Sequence, residues 1–164
     1  MKWRSAVAMF WIACAAVHGQ TISVASPSAA AGAVIAADVT LKMPRNAPQA
    51  AAVEWTISFS SRDLSPSDPG AVIDPSRQAE GKVLACRGSW RKANLRYSYH
   101  CLLTGGNTPL ADGPLATMRF QVRPAARPAS HPLQVENPRG ATPAAKPIQM
   151  KGVNGTVKIL VSPI

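Results

Sequence analysis

The sequence is short of aromatic residues and of acidic ones, and both shortages restrict what the chain can be. Phenylalanine, tryptophan and tyrosine together make up 5% of the 164 residues, so a hydrophobic core must be built mainly from aliphatic side chains. Only eight carboxylates stand against eighteen lysine and arginine side chains. Glycoside hydrolysis needs two suitably placed carboxylates, and several of these few acids fall in predicted loops, so a glycosidase is not expected.

Catalytic motifs are absent as well. The sequence contains no Gly-x-Ser-x-Gly, no HExxH and no phosphate-binding loop. His100 and His131 are interpreted as surface or turn histidines rather than as parts of an active site. We therefore predict that the chain is not an enzyme and needs no cofactor.

The formal net charge of +10 raises the possibility of an acidic partner, such as nucleic acid, anionic lipid or an acidic polysaccharide. The basic residues are spread along the chain, and only Arg87, Arg91, Lys92 and Arg96 approach a cluster. A solvated basic surface is the simpler interpretation. No nucleic-acid recognition motif is found, so nucleic acid is not an expected partner.

The first residues have the layout of a secretory signal peptide. A basic start, Met1–Arg4, precedes an uncharged and largely apolar run, Ser5–Val17, that is too short for a comfortable membrane span. This predicts a signal peptide over residues 1–19, with cleavage near Gly19. An uncleaved anchor and lipidation at Cys14 are the alternatives. No later segment is apolar enough to cross a membrane, so we expect a domain over residues 20–164 that is secreted, periplasmic or at the cell surface.

Fifteen prolines and eleven glycines favour many short strands joined by turns. Two segments alternate clearly between apolar and polar residues, and they predict strands buried on one side. The inward residues are Val53, Trp55, Ile57 and Phe59 in one segment, and Ala116, Met118, Phe120 and Val122 in the other. Counting such segments gives about nine strands and no helix, which predicts an all-β fold, an antiparallel β-sandwich.

Residues 81–105 predict a hairpin in which Cys86 lies opposite Cys101. This register turns one set of side chains inward: Leu84, Cys86, Trp90, Tyr97, Tyr99, Cys101 and Leu103. The other face carries Arg87, Ser89, Arg91, Arg96, Ser98 and His100. Opposed residues of an antiparallel pair lie about 4.5–5.5 Å apart at Cα, so the two cysteines that remain after signal removal are placed to form a disulfide. Free thiols are the alternative, and a metal site lacks ligands.

The polar side of this hairpin is the candidate binding surface. Arg87, Arg91, Arg96 and His100 project from it together, although an ordinary solvated face would look the same. A polysaccharide platform would instead need Trp90, Tyr97 and Tyr99 exposed in a row. Near the end of the chain, Asn154-Gly155-Thr156 fits a glycosylation acceptor, but a tight turn is the preferred interpretation.

Three segments carry a resemblance to a known family: Val53–Leu64, Gly113–Val122 and Val153–Val157. The second resembles a Gly-x-Leu-Ala-x-x-x-Phe-x-Val pattern, and the third a closing Asn-Gly-Ser/Thr-Val strand. In this order they resemble the cohesin domains of bacterial extracellular proteins, over most of residues 20–162.

The resemblance implies a jelly-roll sandwich, related in fold to certain carbohydrate-binding modules. It also implies a non-enzymatic secreted recognition module that uses one sheet face. The expected partner is a protein, dockerin-like or from the cell envelope, or a polysaccharide. The alternative is a structural module of a cell-surface or secretion assembly.

Overall fold

The structure is a computed structural model that describes residues 19–161. Residues 19–161 form eleven strands, one short α-helix, α1 (Pro75–Ala79), which the sequence did not predict, and a 3-10 turn at Lys92–Asn94. The strands, in chain order, are β1 (Gln20–Val24), β2 (Ser28–Ala30), β3 (Val34–Lys42), β4 (Ala52–Ser60), β5 (Leu64–Ile73), β6 (Val83–Arg91), β7 (Arg96–Thr104), β8 (Gly113–Val122), β9 (Ala129–Ala141), β10 (Pro147–Val153) and β11 (Gly155–Leu160). The predicted signal sequence up to residue 18, with Cys14, lies outside the described residues.

The strands form two layers. Strands β9, β4, β7 and β6 are hydrogen-bonded in that order in one layer, and β5, β8, β3 and β1 in that order in the other. Strand β10 pairs with both β1 and β9 and so connects the layers, while β11 pairs with β9 and β2. The predicted β-sandwich is confirmed. It has two more strands than expected, and two of its pairings, β1 with β10 and β2 with β11, are parallel.

The core lies between the layers and is largely aliphatic, as the composition requires. Phe59 of β4 meets Phe120 of β8 edge to face, with ring centroids 4.9 Å apart, so the two layers are in direct contact there. The residues predicted to point inward from β4 and β8 are all buried. Period-two alternation therefore located the inner faces of both strands correctly.

Two buried cations hold the connections at one end of the sandwich. Lys82, only 2% exposed, donates from Nζ to the carbonyl oxygens of Ala51 (2.8 Å), Gly105 (2.8 Å) and Thr108 (2.7 Å). Burial lowers the pKa of the Lys82 ammonium. Arg77 of α1 likewise donates to the carbonyls of residues 111 and 114, at 2.7 and 2.9 Å. These donors satisfy backbone carbonyls where the strands end.

Two local predictions were wrong. The prolines at positions 66, 69 and 75 predict a long connection over residues 60–80 with a brief strand near residues 71–73, yet β5 occupies 64–73 and pairs with β8 on either side of a bulge. The predicted tight turn at Asn154 is not a hairpin turn, because β10 and β11 do not pair with each other. Instead, Asn154 Oδ1 accepts a hydrogen bond from the Val135 backbone N–H at 2.9 Å. The asparagine side chain thus fixes the connection between β10 and β11 against β9.

Candidate functional site

The hairpin of β6 and β7 has the predicted register. Cys86 lies opposite Cys101, and the ladder continues without a shift from Val83 to Arg91. The two cysteines are joined by a disulfide, with their Cα atoms 4.1 Å apart. The disulfide therefore ties the outermost strand of its layer to the strand beside it.

One part of the hairpin prediction was wrong: Trp90 is not in the core. It is 55% exposed, and its Nε1 donates to Ser61 Oγ at 3.1 Å. The reason is that β6 is the last strand of its layer, so its inward side extends past the opposite layer and stays open to solvent. Cys86 is exposed for the same reason, whereas Cys101 on the next strand is fully buried.

The two tyrosines of β7 pack behind the hairpin. Tyr97 and Tyr99 meet edge to face at 5.1 Å, and Tyr99 donates from Oη to the Ser67 carbonyl at 3.3 Å. Burial is the main reason that the pKa of Tyr99 rises to about 12. Because Tyr99 is buried and Tyr97 half-buried, the hairpin aromatics do not form an exposed row with Trp90.

The predicted basic residues share the outer face, by which we mean the surface of the β9-β4-β7-β6 layer that is turned away from the core. Arg87 lies opposite His100, and Arg91 lies opposite Arg96, across the β6–β7 ladder. All four alternate with residues that point inward. The structure thus brings the predicted site residues together on a single surface.

Acidic residues on neighbouring strands partly neutralise this surface, and they were not predicted. Glu136 of β9 lies 3.5 Å from Arg96, and Arg96 also donates to Ser58 and Gln134. Glu54 of β4 lies 3.8 Å from His100 Nε2. No sequence pattern identified these partners, because strands β4 and β9 come from distant parts of the chain.

Two arginines of β6 have no carboxylate partner in the described part of the chain. Within residues 19–161, Arg87 and Arg91 form no salt bridge, and both are exposed. Their lack of a partner follows from the topology, since β6 has a neighbouring strand on one side only. The positive charge of the outer face is therefore concentrated along its β6 edge.

The other end of the outer face is richer in apolar side chains, and its polar members are Thr104, opposite Val83, and the ion-paired Glu54 and Arg139, in the row of Leu102. Leu102 is 39% exposed and Val83 is 63% exposed, and the small residues Ala52, Ala85 and Ala141 lie beside them in the same rows of the layer. A groove of about 330 Å³ adjoins Leu102, and its walls include Ala145 from the loop before β10, Pro147 at the start of β10, and the paired side chains of Glu54 and Arg139. We call this region the apolar half, and the region from His100 to Arg91 the polar half.

Other kinds of site have little support in the described part of the chain. Among residues 19–161, no three His, Cys, Asp or Glu side chains gather closely enough to hold a metal ion. The same residues include no helix that is long and apolar enough to cross a membrane. The outer face is the surface on which the predicted site residues meet.

This architecture is similar to that of known protein structures, although no similar sequence is found. No family model matches the sequence, and no curated protein matches it either. Among solved structures, a non-cellulosomal cohesin from the archaeon Archaeoglobus fulgidus is similar, with a TM-score of 0.67 at 19% identity; the match covers 87% of this chain and 92% of the cohesin.

Two further structures come from dockerin complexes. The third ScaC cohesin of Acetivibrio cellulolyticus, in complex with the ScaB dockerin, has a TM-score of 0.65 at 15% identity, covering 87% of this chain and 99% of that one. The OlpC cohesin of Clostridium thermocellum, in complex with a dockerin, has a TM-score of 0.63 at 13% identity. The match covers 86% of this chain and 93% of that one. At such low identities the likeness establishes the fold, and this chain has the fold of the cohesin domains.

Proposed function

We propose that this chain is a secreted, non-enzymatic binding module that takes a protein partner, dockerin-like or from the cell envelope, on its outer face. The observation that carries the proposal is the outer face itself. It is an open sheet surface on which exposed apolar residues lie beside two arginines that form no salt bridge within residues 19–161, in a fold whose solved examples include complexes with dockerins.

The composition of the outer face supports protein rather than polysaccharide as the partner. Protein interfaces favour an apolar centre with arginine and a polar rim, and Leu102, Val83, Arg87 and Arg91 provide those elements. Stacking on sugar rings favours several exposed aromatic side chains, and on this hairpin only Trp90 is well exposed. The single tryptophan gives weaker support to a polysaccharide partner.

Binding to purified dockerin modules tests the proposal directly. The exported protein is immobilised and a panel of dockerins is passed over it in a biolayer interferometry assay. We expect at least one dockerin to bind the wild type and to lose binding to a variant with a blocked face, S98R. Ser98 lies at the middle of the outer face, opposite Ser58 and Ser89.

The matched control is T40R, on β3 in the opposite layer, because it adds the same side chain away from the outer face. Cross-linking in the secreted fraction extends the search to envelope proteins. If no dockerin binds and no envelope protein cross-links in a way that S98R abolishes, the proposal is wrong.

Export is the second part of the proposal. A basic start, an apolar run and a disulfide between Cys86 and Cys101 fit a chain that reaches an oxidising compartment. We expect the N-terminal residue of the exported protein to be Gln20, as measured by Edman sequencing or intact mass. A protein that retains residues 1–19 would instead indicate an uncleaved anchor.

A further inference from the structure

The outer face has a fixed geometry that restricts the chemistry of its partner. Leu102 lies opposite Ala85 on β6, and this row of the layer is where the apolar half ends and the polar half begins. Along β6, Arg87 follows Ala85 by two residues and Arg91 follows it by six. At about 3.3 Å per residue, the two guanidinium-bearing positions lie about 7 Å and about 20 Å from the apolar row.

The two arginines are also suited to bind carboxylates. They lie on the exposed edge strand and form no ion pair within residues 19–161, whereas Arg96 and His100, one strand further in, face Glu136 and Glu54. An arginine fork binds a carboxylate through two parallel hydrogen bonds, which gives both strength and direction. A partner with acidic residues here would complete a charge pattern that the chain leaves unbalanced.

We infer that the protein partner presents an apolar side chain to Leu102 and Val83 and two carboxylates to Arg87 and Arg91. This inference rests on the proposed function and adds to it the chemistry of the partner: an acidic segment, with its apolar anchor at one end and its carboxylates about 13 Å apart, the length of four strand residues. The order of these groups along β6 also fixes the direction in which the segment lies on the outer face.

A displayed peptide library tests this inference, because it does not require the natural partner to be identified. Random 16-residue peptides on yeast are sorted against the exported wild-type protein, and enriched sequences are measured against variants. The test variants are R87S/R91S and L102S. The matched control is K42S/R119S, which removes the same two charges from β3 and β8 in the opposite layer.

We expect the enriched peptides to combine acidic residues with at least one large apolar residue. Their affinity should fall at least tenfold for R87S/R91S and at least fivefold for L102S, and stay within twofold for K42S/R119S. Because surface charges are screened by salt, raising NaCl from about 50 to 300 mM should weaken binding to the wild type more than to R87S/R91S.

The inference is overturned if no peptide is enriched, if the enriched peptides are not acidic, or if R87S/R91S binds them as the wild type does. These results are distinct from failure of the proposed function. Consider a dockerin or envelope protein that loses binding to S98R and keeps binding to R87S/R91S. That result would support the proposed binding function and would refute only the inference that the partner is acidic.

Discussion

Leu102 of β7 lies directly opposite Glu54 of β4, and this pair marks the boundary between the two halves of the outer face. The Glu54 carboxylate has two partners: its Oε1 lies 3.1 Å from Arg139 Nε, in the same row of the layer, and its Oε2 lies 3.8 Å from His100 in the polar half. These contacts occupy the carboxylate and leave the Leu102 side chain accessible. A partner can therefore contact apolar surface without burying an unpaired acid beside it.

Lys82 is expected to be a structural residue whose loss destabilises the end of the sandwich nearest the apolar half. Its ammonium donates to three backbone carbonyls, and K82M would leave these acceptors without their donor. We expect the free energy of unfolding to fall by about 2–4 kcal/mol in urea denaturation. K42M, at an exposed position of β3, is the matched control and should change it by less than about 0.5 kcal/mol. Equal effects of the two substitutions would contradict the assignment.

The disulfide is expected to stabilise the hairpin without being needed for its register. Cys86 and Cys101 are 15 residues apart, so the chain-entropy model gives about 3 kcal/mol for the cross-link. The C86A/C101A variant should lose about this much in urea denaturation and should no longer respond to reductant. Circular dichroism should still report the β fold, because eight other residue pairs hold β6 against β7. Mass spectrometry that finds two free thiols in the exported wild type would refute the pairing.

Tyr99 should make stability fall at alkaline pH. Its folded pKa is raised from 10.0 to about 12, so above pH 10 the unfolded chain loses the phenol proton while the folded chain keeps it. The unfolded state then binds fewer protons, and the free energy of unfolding decreases as pH rises from 10 to 12. By pH 11 this decrease should reach about 1 kcal/mol relative to pH 9.

The Y99F variant isolates this effect, because it keeps the ring and removes the titrating group. Its free energy of unfolding should fall less than that of the wild type between pH 9 and pH 11, as urea denaturation at each pH would measure. Parallel curves for the two proteins would mean that Tyr99 does not titrate in this way.

Gly155 is expected to tolerate no side chain. A Cβ atom at this buried position would lie 2.4 Å from the Ala25 carbonyl oxygen and 2.5 Å from that of Val24, and these are backbone atoms that cannot simply rotate away. We expect G155A to cost about 2–3 kcal/mol of stability, or to prevent folding. T156A at the exposed neighbouring position should be nearly neutral, and thermal unfolding of both variants would decide the point.

The candidate site was only half predictable. The pairing of Cys86 with Cys101 fixed which hairpin residues share a side, because a shift by one residue would have exchanged the two faces. Arg87, Arg91, Arg96 and His100 therefore fell on one surface, as expected. Glu54 and Glu136 could not be found in the same way, since their strands approach β7 only through the order in which the layer is assembled.

The sequence by itself determined strands β4 and β8, the inner faces of both and the register of the β6–β7 hairpin, because these depend on local alternation and on short-range pairing. The tertiary structure decided which strands are neighbours and which strand lies at an edge. This arrangement exposes Trp90, leaves Arg87 and Arg91 without a carboxylate partner among residues 19–161, and places Leu102 beside Glu54. Burial and charge pairing at a sheet edge depend on which strands of the same layer and of the opposite layer lie next to that edge. No local pattern in the chain specifies those neighbours.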